Sequence, residues 1–148
     1  MPSLEIRAIA DADRVDWERL YAGYADFYRV TQTPEMRARV WSWIHDPAHQ
    51  TEGLVALLDG KPVGIAHFRA FARPLSATTG GFLDDLFVDP DARGSGAADA
   101  LISAIADIGR SRGWSVIRWI TAEDNARARK VYDRLAVKTP WVTYDIKL

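Results

Sequence analysis

The chain has no cysteine. That excludes disulfides, zinc–thiolate sites and a cysteine nucleophile together. It lacks an excess of either charge, with 19 Lys and Arg against 20 Asp and Glu, interleaved along its length. A strongly basic balance would announce a nucleic-acid surface, so nucleic acid is not an expected partner. No apolar run approaches the ~20 residues that cross a bilayer. The N-terminal stretch "MPSLEIRAIADADR" carries charges where a signal peptide needs an apolar segment. A cytoplasmic protein with no membrane partner is the expectation. Histidine is scarce, at three residues. His45 and His49 have the spacing of helical metal ligands, but "HDPAH" places Pro47 between them, which breaks a helix. No metal site is expected.

What is present fits one domain over residues 1–148, since 48% of the residues are hydrophobic and single cores cluster near this size. "LEIRAI" (Leu4 to Ile9) alternates apolar and polar residues and predicts a strand. Two amphipathic helices should follow, one through Trp17, Leu20, Tyr21, Tyr24 and Phe27, the other opened by Thr33-Pro34. "EGLVALLD" and "PVGIAHFRAF" flank Asp59-Gly60, a hairpin signal. After a loop over residues 74–81, the pattern predicts a strand over Phe82 to Val88 and a helix from Ser95 or Gly96 to Gly113. A strand in "WSVIRWI", a helix in "NARARKVYDRL" and a closing strand in "WVTYDIKL" complete the chain. The order β-α-α-β-β-β-α-β-α-β is that of an α/β fold, and the crossover between Phe82 and Ile120 implies a parallel strand pair.

The chemistry concentrates in "LDDLFVDPDARGSGAADALI", Leu83 to Ile102. Arg93-Gly94-Ser95-Gly96-Ala97-Ala98 stands between a strand and a helix N-terminus, where main-chain N–H groups make an anion site and glycines let a phosphate approach. A Walker loop would need Lys-Ser or Lys-Thr after its second glycine, and a dinucleotide fingerprint a small residue where Asp99 stands. Neither fits. A tight turn without a ligand remains open on the loop alone. Asp84 and Asp85 sit inside a strand, where aspartate is disfavoured and burial raises its pKa toward values useful for proton transfer. Adjacent strand residues point to opposite faces, so one carboxylate should enter a cleft and the other meet a different element. A structural pairing of either with an arginine is the competing reading.

"Arg93-x-x-Gly96-x-Ala98", preceded by "DLFVDP" and followed by "EDNARARKVYDRL", resembles the GNAT superfamily of N-acetyltransferases from about Val55 to the C-terminus. Ala98 replaces the commoner glycine. "GIAHF", "LDDLFV" and "WVTYDIKL" look most similar to the subgroup with histone and polyamine acetyltransferase-like members. The resemblance implies a mixed, mostly antiparallel sheet with a central splayed parallel pair. It implies acetyl-coenzyme A as co-substrate, held by Arg93 to Ala98, by Leu86, Phe87 and Val88, and by Asn125, Ala128 and Tyr132. A main-chain N–H near Phe87 or Val88 would serve the thioester oxygen, Asp84 would be the base, and Tyr132 would be a weak general acid. Asp85, Tyr28, Glu35 and His67 are the candidate acceptor contacts. The implied reaction is direct acetyl transfer, in a ternary complex, to a primary amine, either a small polyamine-like molecule or a protein lysine. By residue type alone, Asn125 also suits a helix N-terminus, Tyr132 a core aromatic position, and His67 a satisfied structural histidine. The alternatives are an acyl-CoA-binding module without turnover and an interaction protein. Six Trp and an edge strand at "WVTYDIKL" lead us to expect a homodimer.

Overall fold

The structure is a computed structural model and describes residues 2–148. Its elements are β1 (Leu4–Ala8), α1 (Arg14–Phe27), α2 (Pro34–Ile44), β2 (Glu52–Leu58), β3 (Lys61–Arg73), β4 (Thr78–Val88), α3 (Ala97–Arg112), β5 (Ile117–Arg118) and α4 (Ala126–Leu135). One five-stranded sheet runs in the order β1-β2-β3-β4-β5, with β4 and β5 parallel and the other neighbours antiparallel. The expected α/β class holds.

Local chemistry explains the boundaries. Asp59 and Gly60 both have positive φ (51° and 82°), the conformation that lets a two-residue turn follow the twist of β2 and β3. The Thr33 hydroxyl accepts from the Met36 N–H at 3.2 Å, and Pro34 occupies the first turn of α2, where its missing N–H costs nothing. Alternation along the strands then builds two cores. Leu54, Ala66, Phe68 and Leu83 pack against Leu101 and Ile105 of α3 and, more peripherally, Tyr132 of α4. Val55, Leu57 and Ile65 pack against Trp17 and Leu20 of α1, with Val40, Trp41 and Ile44 of α2 outside them.

The structure departs from the sequence reading at three places. β4 begins at Thr78, inside the expected loop, because Thr78 and Thr79 pair with Arg73 and Ala72 of a β3 that extends past Phe71. β5 keeps only two residues of "WSVIRWI", and the parallel pair stands at the sheet edge rather than at its centre. The expected closing strand does not form: residues 136–148 carry no regular structure and all are exposed. With no neighbour alongside, its main-chain groups have no ladder to join.

Candidate active site

β4 pairs with β5 only at Gly81 and Phe82; beyond them the two strands separate. Asp89 N–H donates to Val63 O at 2.7 Å and Phe87 O faces Gly64, so both residues turn their main-chain groups toward β3. By the alternation of an antiparallel ladder, the groups of Leu86 and Val88 face the gap, with no strand opposite them. The gap opens into a cleft of about 430 Å³, bounded by Leu86, Phe87 and Val88, by the Arg93–Asp99 loop and by one side of α4. That volume suits a small-molecule ligand.

The loop is built as a cradle. Gly94 and Gly96 have φ of +83° and +86°, and a Cβ on either would meet nothing within 4 Å. Their constraint is conformational rather than steric, since L side chains pay about 1–2 kcal/mol there. Among the described residues, the N–H groups of Gly94, Gly96, Ala98 and Asp99 donate to no protein acceptor, whereas Ser95 N–H is used by Ala92 O and Ala97 N–H by Ser95 Oγ. Unspent donors at the start of the 16-residue α3 form an anion site. Arg93, Arg127 and Arg134 line the same cleft, Arg134 also pairing with Asp99 at 2.8 Å. A pyrophosphate with a further phosphate matches this set of donors and cations. We expect Gly96→Val to weaken coenzyme A binding at least tenfold, measured by titration calorimetry, because the loop must flatten to relieve the strained φ.

Asn125 and Tyr132 form the α4 wall. Asn125 Oδ1 accepts from Ala128 N–H at 3.3 Å, so this residue caps α4 as well as lining the cleft. Tyr132 stacks edge-on to Trp119 at 5.4 Å, and burial, with Tyr28 beside it, pushes its phenol up to about 12. It therefore keeps its proton at neutral pH. Tyr24, Phe27 and Tyr28 close the opposite wall, at the end of α1. Phe27 extends the apolar stripe expected to be core, yet it is 54% exposed where that stripe reaches the cleft.

The two carboxylates do not part to opposite faces as expected. A β-bulge sets Asp85 opposite His67 and Leu83 opposite Phe68, leaving Asp84 unpaired between them. The extra residue turns Asp84 toward the side that also receives Asp85, because both meet side chains two apart on β3. Asp84 accepts from Arg69 Nε at 3.1 and 3.3 Å, and the Arg69 guanidinium lies over the Phe82 ring at 4.9 Å. Burial raises the Asp84 carboxyl, and Arg69 offsets only part of that rise. Asp85 Oδ2 accepts from Tyr21 Oη at 2.9 Å and from His67 Nδ1 at 2.8 Å. Trp17 Nε1, which can only donate, bonds His67 Nε2 at 2.9 Å. His67 is thereby fixed as the neutral tautomer with its proton on Nδ1, facing Asp85. Burial acts to raise the Asp85 carboxyl, but the His67 and tyrosine hydrogen bonds outweigh it and hold the group below the usual range.

Every expected cofactor contact, with Tyr28, lines the cleft, whereas Asp84, Asp85, Glu35 and His67 do not. Asp85 bonds Tyr21 and affects Tyr24, which does line the cleft. His67 departs from the expected acceptor contact because it is 1% exposed and both ring nitrogens are engaged. Glu35 departs likewise: it is exposed in the first turn of α2, outside the cleft. The sequence reading missed Arg127 and Arg134, seven residues apart on one side of α4, and the buried Trp17–His67 pair, which joins residues fifty apart.

The acetyltransferase (GNAT) family matches residues 17–136. The chain belongs to this family. It is an N-acetyltransferase of the GNAT fold. The D-amino-acid N-acetyltransferase HPA3 of Saccharomyces cerevisiae is 26% identical over 141 residues, covering 94% of this chain and 88% of its own. A ribosomal-protein-alanine N-acetyltransferase from Brucella melitensis superposes with a TM-score of 0.82 at 27% identity, over 99% of each chain. Aminoglycoside N-acetyltransferase AAC(6')-Iy, solved with CoA, shares the fold with a TM-score of 0.83 at 20% identity, over 99% of this chain and 96% of its own. The GNAT match includes the bulged β4, the glycine loop and all of α4, so the cleft lies within the family's own segment.

Proposed function

We propose that this N-acetyltransferase binds acetyl-CoA in the β4–α4 cleft and transfers the acetyl group directly to a primary amine in a ternary complex. One observation carries the reading: a strand gap and unspent loop donors form a phosphate-binding cleft whose Tyr24 wall neighbours Asp85, on the face of the sheet that Asp84 shares. Arg93, Arg127, Arg134 and the 94–99 main chain would hold the phosphates. Leu86 and Val88 would take the extended arm through the main-chain groups they turn into the gap. The thioester supplies the activated acetyl group when bound.

An alkyl ammonium has a pKa near ~10.4, so freeing its lone pair at neutral pH costs roughly 4 to 5 kcal/mol. Asp84, raised by burial, accepts that proton through a water. Asp85 stays ionised and favours a cationic acceptor beside Tyr21 and Tyr24, whose rings add an aromatic surface for the cation. As the amine nitrogen bonds to the carbonyl carbon, Val88 N–H stabilises the charge on the carbonyl oxygen. The carbon–sulfur bond then breaks, Tyr132 gives its proton to the departing thiolate, and the proton the nitrogen still carries passes through water to the Tyr132 oxygen, leaving a neutral amide and a free thiol. A thiol with a pKa near ~8.5 leaves without much help, so Tyr132→Phe should lower kcat by about tenfold and leave coenzyme A binding unchanged. A variant with unaltered kcat on every acceptor would remove Tyr132 from that role.

Of the three named relatives, the two more similar in sequence are a D-amino-acid N-acetyltransferase and a ribosomal-protein-alanine N-acetyltransferase. These names support an amine acceptor here; the small polyamine-like or lysine type rests on Asp85 and the Tyr21 and Tyr24 rings, which favour a cation. The test is release of free thiol from acetyl-CoA across polyamines, D- and L-amino acids, aminoglycosides and lysine peptides. The cysteine-free chain contributes no thiol background. Amine-dependent release supports the reading. Thermal stabilisation by acetyl-CoA with no release from any amine would replace it with a binding module.

A further inference from the structure

The sheet runs on beyond the helices that cover it. α1 and α2 pack over Val55, Leu57 and Ile65, and neither core takes in Arg69, Phe71, Arg73, Phe82 or Arg118. Residues two apart on a strand share a face, which puts Arg69, Phe71 and Arg73 together on β3. The register sets Arg69 opposite Phe82 and Phe82 opposite Arg118, so one row crosses β3, β4 and β5. Contacts tie the rows into a patch. The Arg69 guanidinium lies over Phe82, Arg118 lies over Phe71 at 5.6 Å, and the two phenyl rings meet edge to face at 6.0 Å. Arg73 joins Phe71 and Arg118 around a surface hollow of about 360 Å³.

The patch holds cations without matching anions. Among the described residues, Asp84 is the one carboxylate paired with these three guanidiniums, and it takes only Arg69 Nε. Arg73 Nη1 donates to Ser115 Oγ at 2.7 Å, and Arg118 donates to no protein acceptor. A guanidinium lying on a ring keeps its edge N–H groups free, and a carboxylate can take two of them in parallel. All five residues are half-buried, so the rings hold the arginines in place.

The patch also begins at the proposed base, since Asp84 is bonded to Arg69 and stands two residues on from Phe82. Neighbouring strands lie about 4.8 Å apart, which puts Arg118 roughly 10 Å across the sheet from Arg69 and Arg73 roughly 13 Å along β3. A free amino acid, whose amine and carboxylate share one carbon, reaches Arg69 alone. A polyamine would set its further cations against three arginines. We propose that this face selects the acceptor, a lysine in an acidic stretch of a peptide, with its amine directed to Asp84 and the neighbouring carboxylates seated on Arg69, Arg118 and Arg73. Asp85 and the tyrosines favour one ammonium, and the arginines disfavour a second. The proposal rests on the N-acetyltransferase reading above and narrows its acceptor to this class.

Peptides with a single lysine and blocked ends test it: one with aspartates on both sides of the lysine, one with asparagines and one with arginines, beside spermidine and free amino acids. Thiol release from acetyl-CoA should give the acidic peptide a kcat/KM about tenfold above the neutral one, through KM, with the basic peptide and spermidine below both. Raising the salt concentration should shrink that preference, because exposed charges are screened. Arg118 lines no part of the cofactor cleft, and Arg118→Glu should raise KM for the acidic peptide about tenfold and turn the preference toward the basic one. Should that variant not fold, Arg73→Glu should shift the preference in the same direction. Equal kcat/KM for the three peptides, a preference for spermidine or a free amino acid, or native preference in the arginine variants overturns the proposal. Anisotropy of the labelled acidic and neutral peptides on the CoA-loaded protein separates this outcome from failure of the transferase reading. Tighter binding of the acidic peptide that is lost in Arg118→Glu, with no thiol released from any amine, would leave the docking face standing without the transfer. Equal binding of the two peptides would remove the face.

Discussion

Asp84→Asn is expected to lower kcat by about 10²- to 10³-fold, with acetyl-CoA affinity, measured by calorimetry, within twofold of the native value. The substitution keeps the shape and an oxygen for Arg69, and removes the charge and with it the capacity to take a proton. Two features of the fold put the native group in working order. Burial raises it, and Arg69 keeps it from rising further. Because the ionised form is the active one, kcat/KM should climb with pH along an acid limb lying above the ordinary carboxylate value. Removing Arg69 as Arg69→Gln takes away the charge that favours ionisation, so the limb should move to higher pH. In Asp84→Asn the limb should vanish. A variant that retained native kcat and its acid limb would move the base to Asp85 or to the acceptor itself.

The second large effect falls on stability rather than turnover. Asp85→Ala deletes the acceptor of both His67 Nδ1–H and Tyr21 Oη–H in a site where Trp17 already occupies the other histidine nitrogen. The two donors are left without a partner, and histidine cannot switch tautomer without opposing the indole N–H. Breaking such a buried set costs about 3–5 kcal/mol, which for a chain of this length lowers Tm by roughly 10 °C. Asp85→Asn, which keeps an oxygen, should lose less. The folded carboxyl lies below its unfolded value near ~3.9, so its contribution is fully present above that value and is lost as pH falls through the lower, folded one. The stability gap between native protein and Asp85→Ala, followed by urea unfolding, should therefore be constant from neutral pH to about pH 5 and close below about pH 4. A Tm within 2 °C of native for the alanine variant would show that the network carries little of the fold's stability.

Much of this site was legible in the residues. Period-two and period-3.6 patterns placed β1 to β4 and α1 to α4 within a few residues, because each element exposes one face and buries the other. Arg93-x-x-Gly96-x-Ala98 marked the anion loop because the conformation it requires, φ near +85° at two positions, is one that glycine adopts freely. Tyr132 and Asn125 were placed by the family resemblance, since by type alone a core aromatic and a helix cap suited them as well, and Asn125 does cap α4.

The bulge was not legible. Nothing in "LDDLFV" says which of two aspartates loses its β3 partner, since that depends on how β3 and β4 shift register at His67 and Phe68. The histidine's role was equally hidden, as its partners come from positions 17 and 85 and meet only when α1 packs on the sheet. The final strand shows the boundary between the two kinds of information. The sequence by itself determined the chemistry of the loop, the order of elements and the strand-forming character of residues 141–148, because those are properties of neighbouring residues along the chain. Only the tertiary structure decided that both carboxylates share one face, that His67 is locked neutral beside Asp85, and that the last strand finds no partner in its own sheet, because each depends on a contact between segments far apart in sequence.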